Sequence, residues 1–200
     1  ALAVTSGVEH WRLQGARCMG ALYWQLNDTW PCPSWSSIDY YGRWKALHYT
    51  IKRVFATTLI AAFPNERTGE ATVFLTTESR SRVRGHWSWM WESLDGDNLS
   101  TGRNSITLAA GETRFLGKID PPENFDPRKH ILWVEFRSNQ GERSNTTVLF
   151  ARPKALELRD PELECILEST DAGWRITVSA HRPALWVWFS CESTHLRFSE

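Results

Sequence analysis

The hydrophobic periodicity of this chain predicts a multidomain protein, α/β at its beginning and all-β after it. Three observations carry that prediction. Over residues 1–56, apolar residues recur at helical spacing on either side of one short apolar run. Over 57–152 the period drops to two, and turn residues break the runs. Over 153–200 period two resumes after a proline, in a stretch too short to close a sandwich by itself.

In the first stretch, Val4, Val8 and Trp11 fall at i, i+4 and i+7. That spacing predicts a helix with these side chains on one face and Gly15 as its stop. Residues 18–26 are apolar on both alternating faces, with Gly20 and Ala21 small enough for close approach. They predict a strand buried on both sides, as in parallel sheets. After a polar loop rich in Trp and Pro, Trp44, Leu47, His48, Ile51 and Phe55 form one stripe, with Lys45, Lys52 and Arg53 outside it. This is the pattern of a second helix. One α-β-α unit cannot bury its own sheet, so the strand is expected to find its neighbours outside this stretch.

In the second stretch the clearest strand sets Val83, Gly85, Trp87, Trp89 and Trp91 on one face. Arg82, Arg84, His86, Ser88 and Met90 take the other. Further strands are predicted at 71–77, 106–108, 113–116, 131–136 and 146–150, punctuated by Asp95-Gly96, Gly111, Pro121-Pro122 and Gly141. About seven strands in about 95 residues suit an immunoglobulin-like sandwich better than a closed barrel. Three large residues on one side of a central strand read as sandwich core rather than as a sugar platform. The third stretch alternates at Leu163, Cys165 and Leu167, at Trp174, Ile176 and Val178, and at Leu185, Val187, Phe189 and Cys191. It predicts three strands of a partial second sandwich.

Composition narrows the function. Hydrophobic residues make up 42% and charged residues 23%, as in ordinary globular domains. The 23 basic and 23 acidic residues cancel, so no global field draws the chain to nucleic acid or to an anionic membrane. Charges interrupt every apolar run well short of the roughly 20 residues a membrane helix needs. The four cysteines (Cys18, Cys32, Cys165, Cys191) lack CxxC spacing and the six histidines lack HxxxH spacing, so neither a metal nor a cofactor is expected. Buried thiols are expected, with a Cys165–Cys191 pair as the alternative. The outlier is tryptophan, with 12 residues, several of them gathered in one loop.

That loop lies in residues 19–45, MGALYWQLNDTWPCPSWSSIDYYGRWK. It resembles the last barrel strand and following loop of the family 2 glycoside hydrolases, in the β-mannosidase pattern, and the likeness is dense over 17–55. The resemblance implies the C-terminal end of a (β/α)8 TIM barrel over 1–56, an immunoglobulin-like sandwich over 57–152 and a partial second one over 153–200. It also implies that the chain is the tail of a longer enzyme, a retaining exo-glycosidase removing terminal non-reducing β-D-mannose from an oligosaccharide or glycan. Both catalytic glutamates would then lie upstream of Ala1, on a barrel of the same polypeptide. Asp28 and Asp39 are the carboxylates near the loop, and neither sits in a matching catalytic motif, so no catalytic residue is expected within the chain.

Trp24 falls near the carboxyl end of the expected strand, where barrel enzymes place their sites. An indole face stacks on the C–H face of a pyranose and leaves the hydroxyls free. By resemblance, Trp24 floors the subsite of the sugar being cleaved. Gln25, Asn27 and Asp28 are expected to bond sugar hydroxyls or to orient the glutamates. Trp30 and Trp35 flank Pro31 and Pro33, which stiffen the segment, and either meet the ligand or clamp the loop to the next domain. Tyr40, Gly42, Arg43 and Trp44 fit a turn that docks the following helix. Two other readings stay open: a different family 2 exo-glycosidase (β-galactosidase, β-glucuronidase or exo-glucosaminidase), and a non-catalytic carbohydrate-binding or structural sandwich protein.

Overall fold

The structure, a computed structural model, describes residues 1–18, 20–171, 173–190 and 196–198. Helix α1 (Leu2–Leu13) ends before Gly15, whose φ of 47° starts a single 3-10 turn. Helix α2 spans Ala46–Val54. The faces differ in detail from the expected stripes. Val8 is buried but Trp11 is largely exposed, and Val54, not Phe55, is the residue α2 buries.

The strand expected over 18–26 does not form among the described residues. A parallel strand exists only through hydrogen bonds to a neighbour. Among the described residues its partner is the loop doubling back on itself, with isolated bridges Asn27–Ile38 and Ile38–Trp44. The apolar run stays on the surface instead of being buried on both sides, with Leu22 at 98% exposure.

The all-β part is an immunoglobulin-like sandwich of seven antiparallel strands in two sheets. Strands β1 (Thr58–Pro64), β2 (Ala71–Thr77) and β5 (Thr113–Ile119) form one sheet in the order β1-β2-β5. Strands β3 (Val83–Ser93), β4 (Asn98–Leu108), β6 (His130–Ser138) and β7 (Arg143–Leu149) form the other, ordered β4-β3-β6-β7. Ile60, Val73 and Leu75 of the first sheet share a core with Trp87, Trp91, Leu132, Val134, Phe136 and Val148 of the second. The Trp87/Trp89/Trp91 face is therefore core, as its spacing predicts.

Trp91 is fully buried at the centre. Its ring stacks on Phe150 at 4.9 Å, and its indole N–H donates to the Asp120 carbonyl at 2.9 Å, so the polar end of the side chain is satisfied. Gly85 lies where β3 and β6 approach closely. A Cβ there would sit 2.2 Å from the Arg137 carbonyl oxygen.

Strand β1 is buried on both faces. Ile60 and Ala62 enter the core, while Leu59 and Ala61 turn toward the helices, where His10 meets the Phe63 ring edge-on at 6.4 Å. Arg12 ties this junction. Its guanidinium donates to the carbonyls of Val54 at 2.8 Å and Ala56 at 2.7 Å, and pairs with Glu78 at 3.1 Å. It therefore caps the end of α2 and grips the sandwich at once.

Strands β8 (Glu164–Thr170) and β9 (Gly173–Ser179) form an antiparallel hairpin. The third strand expected here is absent over the described residues 185–189, and Cys191 lies outside the described residues. Two features account for this. Leu185 is drawn onto the small cluster of Leu94, Ile131 and Leu156, and Trp186 has a φ of 58°, which extended backbone does not allow. The thiols also depart from expectation. Cys32 and Cys165 are exposed and Cys18 is partly so, because the loop and the hairpin that carry them leave them outside any core. The pairing of Cys165 with Cys191 involves a residue outside those described.

Candidate functional site

The Trp-rich loop is built on its own backbone. The Ser37 N–H reaches the carbonyls of Gln25 and Leu26, both at 3.1 Å, and the Ile38 N–H reaches Leu26 O at 2.8 Å. Asp28 N–H returns to Ile38 O at 3.0 Å, and Lys45 N–H to Ser37 O at 2.9 Å. Three segments are thus laced side by side without any regular strand. Residues 29–35 leave this lacing as an excursion, and α2 starts where it ends.

Two buried polar clusters lock the lacing. In the first, the Asp28 carboxylate, 5% exposed, accepts from the Ser34 hydroxyl and from Lys45 Nζ at 3.0 Å. The same ammonium donates to Ser36 Oγ at 2.7 Å and to Ser34 Oγ at 3.3 Å. The Ser34 hydroxyl, aided by Lys45 and Ser36 and opposed by desolvation, holds the Asp28 carboxyl below the usual carboxylate range. In the second cluster, fully buried Ser37 donates its hydroxyl to Leu26 O at 3.0 Å. Its lone pairs then meet Tyr23 Oη at 2.9 Å and His48 Nδ1 at 3.1 Å.

Asp39 organises the turn before α2. Its carboxylate accepts from the backbone N–H groups of Tyr41 and Arg43, each at 2.9 Å, and from Arg43 Nε at 2.5 Å. Desolvation pushes this carboxyl up, but the Arg43 backbone and guanidinium with the Tyr41 N–H outweigh it and keep it low. Gly42 takes a φ of 80° in this turn, and the Trp44 ring meets that of His48 at 4.5 Å, tilted by 46°. Tyr40, Gly42, Arg43 and Trp44 therefore fall in a helix-docking turn, as expected. Both loop carboxylates are held ionised in ion pairs and lack the free proton of an acid catalyst.

The candidate residues separate by exposure. Trp24, Trp30 and Trp35 present their indoles to solvent at 79%, 67% and 80% exposure. Gln25 is half-buried and Asn27 is exposed, its side-chain amide bonding the Asp28 carbonyl at 3.2 Å. The Trp24–Gln25 peptide is cis. Asp28 is turned inward. Among the described residues, no group of three or more His, Cys, Asp and Glu side chains is arranged to hold a metal. Sequence reasoning missed Tyr23, Ser34, Ser36, Ser37, Lys45 and His48, the residues that make the loop rigid. No spacing marks them, because their partners meet only once the loop closes. A separate cleft of about 1520 Å³ lies between the helices, the sandwich and the C-terminal hairpin, lined in part by Glu9, Arg53, Trp133 and Trp174. None of the candidate loop residues lines it.

Residues 69–155 match the mannosidase Ig/CBM-like domain family, and residues 158–200 match an Ig-fold domain family of mannosidases. The chain is 30% identical over 166 residues to β-mannosidase A of Aspergillus clavatus, covering 74% of this chain and 18% of the relative. It is 36% identical over 165 residues to β-mannosidase A of Emericella nidulans, covering 74% of this chain and 17% of the relative. It thus spans less than a fifth of the length of these curated relatives. The crystal structure of a β-D-mannosidase from Dictyoglomus thermophilum superimposes with a TM-score of 0.84 at 27% identity, covering 96% of this chain and 23% of that one. The exo-chitosanase CsxA of Amycolatopsis orientalis shares the fold, with a TM-score of 0.68 at 12% identity over 90% of this chain and 25% of that one. The chain belongs to the β-mannosidases of glycoside hydrolase family 2 and corresponds to their C-terminal region.

Proposed function

We propose that this chain is the C-terminal part of a retaining exo-β-mannosidase that removes terminal non-reducing β-D-mannose from an oligosaccharide or glycan. Residues 1–56 complete a (β/α)8 barrel contributed by upstream polypeptide. Residues 57–152 and 153–200 form an immunoglobulin-like sandwich and part of a second one that buttress the barrel. The observation that carries the reading is the loop itself. Three indoles stand exposed on a backbone that two buried polar clusters hold rigid, and no packing among the described residues calls for them there. Nucleic acid and membrane are not among the proposed partners.

In this reading Trp24 floors the pocket beneath the sugar being cleaved. Gln25 and Asn27 offer amides to its hydroxyls, and Trp30 and Trp35 form the rim. Asp28, already engaged by Ser34 and Lys45, acts by shaping the loop. The chemistry belongs to two glutamates on the upstream barrel, about 5–5.5 Å apart in a retaining enzyme. One protonates the leaving oxygen while the other attacks the anomeric carbon. Water, deprotonated by the first, then releases mannose from the glycosyl-enzyme.

The test is Trp24→Ala in the full polypeptide, assayed on an aryl β-D-mannoside. Turnover is expected to fall at least about tenfold, the loss of one stacking contact made in the transition state. Unchanged kinetics would remove Trp24 from the site.

A further inference from the structure

We infer that Lys45 and Asp28 are positioning residues for sugar binding: their ion pair, joined to Ser34 and Ser36, closes the excursion 29–35 and holds Trp30 and Trp35 in fixed places at the pocket rim. The inference rests on the sugar-pocket reading of the loop and adds to it the device that sets the rim.

The geometry points to closure. Asp28 stands at one foot of the excursion, and Ser34 and Ser36 stand at the other. Lys45, at the start of α2, spans both with bonds of 3.0, 3.3 and 2.7 Å. The ammonium has three donors and meets three acceptors, Asp28 Oδ2, Ser34 Oγ and Ser36 Oγ, so it is fully satisfied. Within the excursion, Pro31 and Pro33 remove backbone freedom between the two indoles. Pinned feet and a stiff span make a rigid rim.

Stability alone does not account for the cluster. Taking the Asp28 carboxylate out of water is costly even beside a Lys45 side chain that stays 30% exposed, and an apolar pair of similar volume commonly stabilises a fold as well or better. What an ion pair bonded to two hydroxyls adds is a single geometry. Around it the excursion buries no large apolar side chain, since Trp30 and Trp35 are both exposed. The geometry being specified is that of the exposed rings. A binding surface gains affinity when its rings are ordered before the ligand arrives.

The test compares Lys45→Met, Asp28→Asn and the double variant in the full polypeptide, with KM and kcat measured on an aryl β-D-mannoside. Lys45→Met leaves the buried Asp28 carboxylate without its cation. It is expected to raise KM about tenfold while kcat changes less than about threefold. The double variant removes both charges and keeps an acceptor for Ser34, so its KM is expected to lie closer to the parent value than that of Lys45→Met. A KM unchanged in Lys45→Met overturns the inference, whether or not kcat falls. If Lys45→Met does not fold, the Ser34→Ala/Ser36→Ala variant gives the same read-out with the charges intact. Trp24→Ala is measured alongside. If it too has no effect, the sugar-pocket reading has failed; if it alone impairs the enzyme, only the positioning role has failed.

Discussion

Glu9, like Asp28, is an acidic residue almost wholly removed from water. It is buried on α1, and burial pushes its carboxyl up from an ordinary value near 4.5 to about 7, with Arg53 pulling the other way. The folded protein therefore binds this proton more tightly than the unfolded chain does. Its contribution to stability is fully present below about pH 4.5 and is lost as the pH rises through about 7. Urea unfolding between those values is expected to show the parent losing stability relative to Glu9→Gln as the pH rises, since His130, held low by desolvation, contributes the opposite slope in both proteins. An identical slope in the variant would mean that Glu9 is better solvated than its burial implies. Asp28 has the opposite sign. Its lowered carboxyl stabilises the loop above the ordinary carboxylate range, and that stabilisation is lost only on acidification through its depressed value.

At the scale of elements, the sandwich is held at the centre of β3. Trp91→Ala removes a fully buried indole with a satisfied N–H and is expected to cost about 3–5 kcal/mol in denaturant unfolding. Trp35→Ala, at an exposed ring, is expected to stay within about 0.5 kcal/mol. Equal losses would contradict the division of the tryptophans into core and loop. The same contrast explains which elements the sequence made legible. Strand β2 is seen end to end in the alternation of 71–77, and β3 in its Trp face, because both bury one side of a pleated surface. Strand β4 is legible only at 106–108. Its first residues, Asn98 to Ser105, are polar or Gly apart from an exposed Leu99 and lie on an edge, where no core imposes a period. Strand β1 escapes the period-two reading for the opposite reason, since helices cover its second face and it is buried on both. In the loop, Trp24, Trp30 and Trp35 stand out by composition. Lys45, Ser36 and His48 do not, because long-range closure alone brings them to their partners.

For the whole molecule, the division of labour is the central matter. The chain holds a loop of exposed aromatic rings and an immunoglobulin-like sandwich, and its two loop carboxylates are locked in ion pairs. The isolated 200 residues are therefore expected to release no phenol from an aryl β-D-mannoside above the buffer rate. Measurable, Trp24-dependent hydrolysis by this chain alone would place a catalytic pair within it and reverse the assignment. The change from helical to period-two stretches is legible in the periodicity, but of the three strands expected over 153–200 the described residues form the two of one hairpin. The strand expected at 18–26 was not realised, because apolar alternation specifies what a segment needs and not whether a neighbour supplies it.

The Arg12 contacts bear on how such a protein can be taken apart. The boundary after Ala56 is where a domain would be excised by periodicity, yet one guanidinium spans it, bonded to the Val54 and Ala56 carbonyls on its own side and to the Thr57 carbonyl and Glu78 carboxylate beyond. A sandwich cut free there leaves Glu78 without its cation. Helices kept without the sandwich retain the cation on the Val54 and Ala56 carbonyls but lose its counterion. The natural unit of transplantation between relatives is thus the sandwich together with α1 and α2, and chimaeras that respect the salt-bridged seam should inherit its alignment intact.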